Sequence, residues 1–264
     1  MLKKTLLLTL IAISILIIAP HKLHAVDITI GATTWFAWVD QEYTKNLVSS
    51  SDTENTPAFL YGPAASVKFN SDFNLTFIFL YGQFKIEEKT PSYLINYNYY
   101  RYDSDLALNY RLNDYFKIFC GIKYMYFGNN VSKNASLGSG SAGFVYKFEH
   151  EGLGPGAGIS STYPVLENLF LLTSLSGFYI WGEETKGFID ASYSKRSIKS
   201  DCNDYGINFN LSLAYYIAPA STTIILGGRY QYIKTDYDKA YTYYTNDSCT
   251  FYGATLTATY TFSI

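Results

Sequence analysis

Hydrophobic and polar positions alternate without a break through the last thirteen residues of the chain, 252–264. One set holds Tyr252, Ala254, Leu256, Ala258, Tyr260, Phe262 and Ile264, and the other holds Gly253, Thr255, Thr257, Thr259, Thr261 and Ser263. Successive side chains of a β-strand point to opposite faces. The segment is therefore predicted to be a strand with one apolar and one small, polar face. Its length suits a strand that crosses a bilayer at a tilt.

The same two-residue period recurs along the chain and predicts ten strands. They are expected at residues 27–39, 58–69, 74–86, 96–112, 115–128, 152–165, 168–182, 204–217, 221–234 and 249–263. The connections between them alternate in length. The short ones are 70–73, 113–114, 166–167 and 218–220, and the long ones are 40–57, 87–95, 129–151, 183–203 and 235–248. An even strand count with short turns at one end and long loops at the other is typical of transmembrane barrels.

The N-terminus has the pattern of a targeting segment. Lys3 and Lys4 precede a fourteen-residue apolar run, 6–19, and a short polar segment that ends at Ala25. This order is typical of a secretory signal peptide, and the run is shorter than the ~20 residues that a transmembrane helix needs. We expect cleavage after Ala25, which makes residues 1–25 a signal peptide and 26–264 the mature domain. An uncleaved N-terminal anchor is the alternative.

Composition narrows the class further. Aromatic residues make up 18% of the chain and include 27 tyrosines, a residue that suits both strands and the membrane interface. Loss of Lys3, Lys4 and Lys22 with the leader leaves 17 of the 20 basic residues against 22 acidic ones, a formal charge of −5. A nucleic-acid-binding protein is expected to carry a basic patch or stripe, so nucleic acid is not an expected partner.

On this strand pattern and topology, the mature chain resembles the small β-barrel proteins of bacterial outer membranes. The resemblance implies an all-β fold, a single antiparallel up-and-down transmembrane barrel of about ten strands with periplasmic termini and long extracellular loops. It also implies an outer-membrane location, with membrane lipids and lipopolysaccharide as surroundings. Many barrels of this class end in phenylalanine, whereas here Ile264 is last and Phe262 lies on the same face.

Apolar faces that meet lipid leave the polar faces to the barrel interior, where function is expected. The predicted network of charged lumen residues consists of Lys68, Arg101, Asp103, Asp105, Arg111, Lys117, Lys123 and Arg229. Direct partners in an antiparallel pair share a face, so Lys123 is expected opposite Asp103 or Asp105. Ten strands lie between the roughly eight that side chains can fill and the roughly 16–18 of open porins. A filled interior and a narrow pore are therefore both open.

A catalytic role is the alternative to these interpretations. The omptins, which are outer-membrane proteases, resemble the chain in size and strand number and use two acidic residues plus an Asp–His pair at the extracellular rim. Asp103 and Asp105 offer an acidic pair, but the only histidine after the leader, His150, falls in the predicted third loop rather than the fourth. Outer-membrane lipases and lipid A deacylases need Ser and His together. A general base must lie within hydrogen-bond reach of the proton it takes. A lone histidine between two carboxylates, as His150 is between Glu149 and Glu151, is therefore expected to be a solvated loop residue.

The cysteines and one basic run allow two interpretations each. Cys120 falls on the predicted lipid face. Cys202 and Cys249 fall at the loop ends of the eighth and tenth strands, and the cell envelope is oxidising enough for a disulfide between them. Two strand spacings separate these strands by ~10 Å, so a disulfide and two free thiols are both open.

The run 195–199, with three basic residues, could contact lipopolysaccharide or only solvent.

The expected function is non-enzymatic. The chain is predicted to be a narrow porin-like diffusion channel for small ions or solutes, or a structural and surface-interaction barrel with a polar, charged lumen. An outer-membrane hydrolase of omptin or lipid-deacylase type is the alternative. A soluble secreted ligand-binding barrel, apolar inside and polar outside, is the third interpretation. No catalytic residue, metal or cofactor is assigned from the sequence.

Overall fold

The computed structural model describes residues 26–41, 52–89, 94–131, 145–189, 195–237 and 247–264. Their strands are β1 (Asp27–Gln41), β2 (Asp52–Thr56), β3 (Ala58–Lys68), β4 (Phe73–Lys89), β5 (Leu94–Arg111), β6 (Phe116–Val131), β7 (Val145–Leu166), β8 (Leu169–Ile189), β9 (Lys195–Ile217), β10 (Thr222–Tyr237) and β11 (Asp247–Ser263). A short 3-10 turn, Ala218–Ala220, joins β9 to β10. The predicted signal peptide, 1–25, lies outside the described residues. No helix in the described part of the chain is long and apolar enough to cross a membrane.

The strands form one closed antiparallel barrel. β2 and β3 are the two parts of a single barrel strand that is interrupted at Pro57, so the barrel has ten strands, each beside its neighbours in the chain. β1 pairs with β11, and β4 pairs with both β3 and β5, which closes the ring. Closure removes the sheet edges, whose backbone groups could not be satisfied in lipid. The predicted fold, an all-β up-and-down barrel of ten antiparallel strands, is confirmed.

The two ends of the barrel differ. At one end, which we call the terminal end, Val26 and Ile264 exchange backbone hydrogen bonds of 3.1 and 3.0 Å, and the connections between strands are short. At the opposite end, which we call the loop end, the strands are joined by residues 42–51, 90–93, 132–144, 190–194 and 238–246. These loop-end connections lie outside the described residues, so the alternation of connection lengths stays a prediction.

Exposure separates the outward from the inward face of each strand. Large apolar side chains point outward and are exposed, for example Ile159 at 55%, Leu213 at 48% and Leu256 at 48%. Their immediate neighbours in the sequence point into the barrel and are less exposed. An exposed apolar surface this extensive is typical of a lipid-facing band, because soluble proteins rarely expose contiguous apolar patches beyond a few hundred Å².

Several strands extend well past this apolar band. β7, β8 and β9 contain 22, 21 and 23 residues, whereas ~9–11 residues suffice to cross the hydrocarbon core. Their outward faces change from apolar to polar between Leu153 and Glu151, between Trp181 and Glu183, and between Tyr205 and Asn203. The prediction that 129–151 and 183–203 are loops is therefore wrong in part, because both include strand residues on the loop side of the band.

Two glycines on β7 give a test of how tightly the barrel wall is packed. A Cβ at Gly154 would lie 1.9 Å from the Tyr179 carbonyl oxygen, whereas the nearest atom to a Cβ at Gly156 is 3.4 Å away. We expect Gly154→Ala to lower the free energy of unfolding by about 1–3 kcal/mol, the usual cost of overpacking, and Gly156→Ala to change it little. Urea unfolding followed by heat-modifiable gel mobility measures both. An unchanged free energy of unfolding for Gly154→Ala would show that the wall tolerates a methyl group there.

Candidate functional site in the lumen

Apolar side chains fill the middle of the barrel. We call this buried cluster the lumen plug, and its members are Trp35, Ala37, Val39, Ala58, Leu60, Leu80, Phe84, Met125, Phe178, Ile180, Ile233 and Phe251. Trp35, Leu60, Phe84 and Ile180 are 0% exposed. The ring of Phe251 lies 5.7 Å from that of Phe84 and 6.2 Å from that of Trp35. A polar, charged lumen was predicted, and that prediction is wrong at this level, where the buried side chains are apolar.

One carboxylate organises the charges beside the plug. Asp103 is 1% exposed, and its Oδ2 accepts hydrogen bonds from Arg101 at 2.7 Å and from Arg229 at 3.4 Å. Lys123 donates to Oδ1 of Asp103 and, at 3.0 Å, to Asp105. The predicted pairing is confirmed, because Lys123 lies directly opposite Asp105 in the register of β5 and β6. We call these five residues the central ion network.

The central ion network spans the full width of the lumen. β5 and β10 are five strands apart in either direction around the ring, so they stand on opposite walls. Arg101 of β5 nevertheless donates a hydrogen bond to Gln231 of β10, and Arg229 of β10 reaches Asp103. The Arg101 guanidinium also stacks 3.7 Å from the Phe251 ring centroid, a favourable cation–π arrangement. Side chains from opposite walls therefore touch at the centre.

Three of the predicted network members lie elsewhere. Lys68 is half exposed and lies 3.7 Å from Asp27 at the terminal end. Arg111 pairs with Asp114 in the turn between β5 and β6, and Lys117 is the register partner of Arg111. These residues line the terminal mouth of the barrel and do not join the central ion network.

A second polar group lies on the loop side of the plug and was missed by sequence reasoning. We call it the loop-end cluster, and it consists of His150, Glu184, Lys186, Cys202, Asp204, Thr235 and Tyr237. His150 lies four residues along β7 from Gly154, the register partner of Lys123. At ~3.3 Å per residue this is roughly 13 Å along the strand from the central ion network.

His150 is the centre of the loop-end cluster. It is 8% exposed and lies on β7 directly opposite Glu184 of β8. Its Nε2 is 2.7 Å from Asp204 Oδ2, and its Nδ1 is 3.2 Å from Glu184 Oε2 and 3.8 Å from Cys202 Sγ. The expectation of a solvated loop histidine is therefore wrong. Past the apolar band the strand continues, and its alternation turns His150 into the barrel.

The ring of His150 reaches β9 because β8 has no side chain at Gly182. A Cβ there would lie 3.2 Å from Cys202 Sγ and 3.5 Å from Asp204 Oδ2. Cys202 and Asp204 share the inward face of β9, two residues apart. The partners of the two carboxylates complete the group, since Thr235 donates to Asp204 and Tyr237 donates to Glu184, each at 2.7 Å.

Electrostatics in the loop-end cluster favour a charged imidazole. Burial by itself lowers the pKa of His150, but the negative charge of Asp204 and the hydrogen bonds to Asp204 and Glu184 hold that pKa well above its ordinary value. Burial raises the pKa of the Cys202 thiol. Lys186 lies 2.8 Å from Glu184. The two carboxylates are thus balanced by an imidazolium and an ammonium.

Of the two interpretations left open for Cys202 and Cys249, the structure has the two thiols and no disulfide between them. Their register explains this. Ile233 of β10 faces both Cys249 and Gly206, and Cys202 lies four residues beyond Gly206 on β9. The offset is ~13 Å along the strand, in addition to two strand spacings, which exceeds the Cα separation that a disulfide tolerates. Cys120 is exposed on the outward face, as predicted.

The basic run 195–199 belongs to β9 rather than to a loop. Residues of this run alternate between the two faces, so its charges do not form one patch. Lys199 is on the outward face, 2.5 Å from Glu183. Arg196, an odd number of residues away, is on the opposite face.

Several solved structures resemble this chain to different degrees. The outer membrane protease OmpT of Escherichia coli matches over 91% of this chain and 98% of its own, with 13% identity and a TM-score of 0.59. A major outer membrane protein from Thermus thermophilus matches over 90% and 100%, with 12% identity and a TM-score of 0.46. The toluene transporter TodX of Pseudomonas putida matches over 92% and 90%, with 10% identity and a TM-score of 0.34.

The sequence itself matches no protein-family profile and no curated protein. The likeness to OmpT shows that the chain has the fold of the bacterial outer-membrane β-barrels, as the strand pattern predicted. At 13% identity the likeness concerns the fold alone.

The two aspartates of the central ion network differ sharply in their surroundings, which gives a matched pair of variants. Asp103→Asn leaves Arg101, Lys123 and Arg229 in the lumen against Asp105 alone. We expect it to lower the free energy of unfolding by about 3–5 kcal/mol, the usual cost of removing one partner of a buried pair. Asp105, with a side chain 36% exposed, should cost less than about 1 kcal/mol as Asn. Urea unfolding of both variants measures the difference, and equal costs would contradict Asp103 as the organising residue.

Proposed function

We propose that the chain is an outer-membrane barrel that does not conduct, and that it acts as a structural or surface-interaction protein through its loop end. One observation carries the proposal: side chains from opposite walls meet at the centre of the lumen. Arg101 on β5 bonds to Gln231 on β10, and the plug around them includes Trp35, Phe84 and Phe251. A route for ions or solutes past such a layer would require these side chains to move.

The outward face supports placement in the outer membrane. Its apolar band is bordered by aromatic residues, and Tyr179 and Trp181 stand beside each other on β8 with ring centroids 5.6 Å apart. Aromatic residues at this level are typical of the membrane–water interface. A soluble ligand-binding barrel would instead present polar residues outside. The proposed partners of the outward face are membrane lipids, and the loop end is proposed to face the cell exterior.

A hydrolase is the second candidate, and the pair of His150 with Asp204 at 2.7 Å favours it. Two features weigh against it. Both ring nitrogens of His150 already bond to carboxylates, so neither is available to take a proton from water or from a nucleophile. Asp103 and Asp105 are each paired with cations beside the plug, so this acidic pair does not act together with the histidine. The chain is therefore proposed to be non-enzymatic, without a required cofactor.

Conductance of the refolded mature protein in a planar lipid bilayer tests the proposal. We expect no discrete steps from the wild-type barrel, because the lumen plug and central ion network close it. Heat-modifiable gel mobility confirms folding beforehand. Reproducible unitary steps from the wild type would overturn the proposal and favour the narrow channel.

A plug-deficient variant sharpens this test. Trp35→Ala, Phe84→Ala and Phe251→Ala together remove the largest inward rings and should open a path that conducts. Matched substitutions on the outward face of the same strands should leave the barrel non-conducting. These are Phe36→Ala, Tyr81→Ala and Tyr252→Ala. Steps from the outward-face variant would show that conductance arises from loosened walls instead of a vacated lumen.

A further inference from the structure

Three different metal-ligating side chains converge in the loop-end cluster. His150, Cys202 and Asp204 are all buried, and each offers a ligand atom within 4.8 Å of those of the other two. They come from β7 and β9 and meet over Gly182 of β8. The role proposed above for the barrel does not use them. Their convergence on the inside of rigid strands, rather than on loops, fixes the positions of their backbones.

We propose that His150, Cys202 and Asp204 bind a divalent transition metal ion of the zinc class. Imidazole, thiolate and carboxylate are the donors that Zn²⁺ takes in proteins, at ~2.0–2.3 Å. A thiolate in the set disfavours Mg²⁺ and Ca²⁺, which prefer oxygen ligands. In a tetrahedron with those bond lengths, neighbouring donors stand roughly 3.3–3.8 Å apart. Small side-chain rotations would bring donors within 4.8 Å to that spacing.

Glu184 supplies the outer-sphere contact that such a site requires. Metal-bound histidines usually donate their other ring N–H to a carboxylate or carbonyl, which fixes the orientation of the ring. With the metal on the Nε2 side, next to Asp204, the Nδ1–H of His150 points at Glu184 Oε2, 3.2 Å away. Cys202 Sγ lies 3.8 Å from Nδ1 and would rotate toward the Nε2 side to coordinate the ion. Tyr237 and Lys186 hold Glu184 in turn, at 2.7 and 2.8 Å. Glu184 is thus a positioning residue rather than a ligand.

Metal binding at this site would release protons. A coordinating thiol is deprotonated by the metal, so the Cys202 thiol proton would leave to solvent when the ion binds.

The site lies on the loop side of the lumen plug. An ion would reach it from the loop end, because the plug and the central ion network close the other direction. The inference goes beyond the proposed function and does not depend on it. A conducting barrel could hold the same site, and a non-conducting barrel could lack it. The conductance experiment and the metal-binding experiment therefore test the two proposals independently.

Cobalt(II) is the probe for this site, because a Co²⁺–thiolate bond gives a charge-transfer absorption in the near ultraviolet and tetrahedral Co²⁺ absorbs in the visible. The mature barrel is refolded in metal-free buffer with Cys120→Ser and Cys249→Ser, which leaves Cys202 as its only thiol. We expect both absorptions to saturate at one Co²⁺ per chain and to be bleached by one equivalent of Zn²⁺. Heat-modifiable mobility verifies that each sample is folded.

Variants of the cluster separate ligands from the positioning residue. His150→Gln, Cys202→Ser and Asp204→Asn should each abolish the charge-transfer band or reduce affinity beyond detection. Glu184→Gln should keep the band and weaken binding by roughly 10–100-fold, the usual effect of losing an outer-sphere partner. Glu183→Gln, on the outward face beside Glu184, is the matched control and should bind as the parent does.

Two results would overturn the inference. One is the absence of a thiolate charge-transfer band in the folded parent at saturating Co²⁺. The other is a stoichiometry of one metal per chain that persists in folded Cys202→Ser and His150→Gln, because the ion would then be held by other groups. Cys202→Ser replaces sulfur by oxygen with little change of shape. It therefore keeps the test decisive if another variant of the cluster fails to fold.

Discussion

Closure of the backbone hydrogen-bond ring is the constraint on which the rest of the structure depends. In lipid an unpaired strand edge cannot be satisfied, so β1 must meet β11 and every strand must tilt to allow it. Ten strands then fix the width of the interior. That width is small enough for long side chains of opposite walls to meet, as Arg101 and Gln231 do. The filled interior of the barrel follows from its circumference.

A narrow interior beside lipid must also neutralise whatever charge it contains. Asp103 forms ion pairs with three cations, Arg101, Lys123 and Arg229. Because Asp103 is also buried, its loss would leave the most uncompensated charge in the lumen. Aromatic faces take up the remaining surface of the guanidinium groups, with Arg229 4.5 Å from the Trp35 ring centroid. Charge and aromatic packing are therefore one layer of the structure, since each arginine contacts both a carboxylate and a ring.

The parts that could be predicted from sequence obey local rules. Strand faces follow from period two, and the contact of Lys123 with Asp105 follows from antiparallel register in one hairpin. The inward positions of Trp35 and Phe251 could not be predicted, because an apolar side chain suits the lipid and a filled lumen equally well. The inward position of His150 could not be predicted for a different reason. Past the apolar band both faces are polar, so alternation loses its contrast, and its partner Asp204 is 54 residues away across two strand pairings.

The apolar layer between the two polar groups has its own consequence. Phe178 and Ile180 lie on β8 on the central side of Glu184, and Ile233 lies on β10 two residues before Thr235. They separate the loop-end cluster from the central ion network, so the two polar groups form separate layers of the lumen. A barrel that needed only a filled lumen could continue such apolar packing toward the loops. This one instead places a histidine, a thiol and two carboxylates there, on strands that extend past the membrane band to hold them.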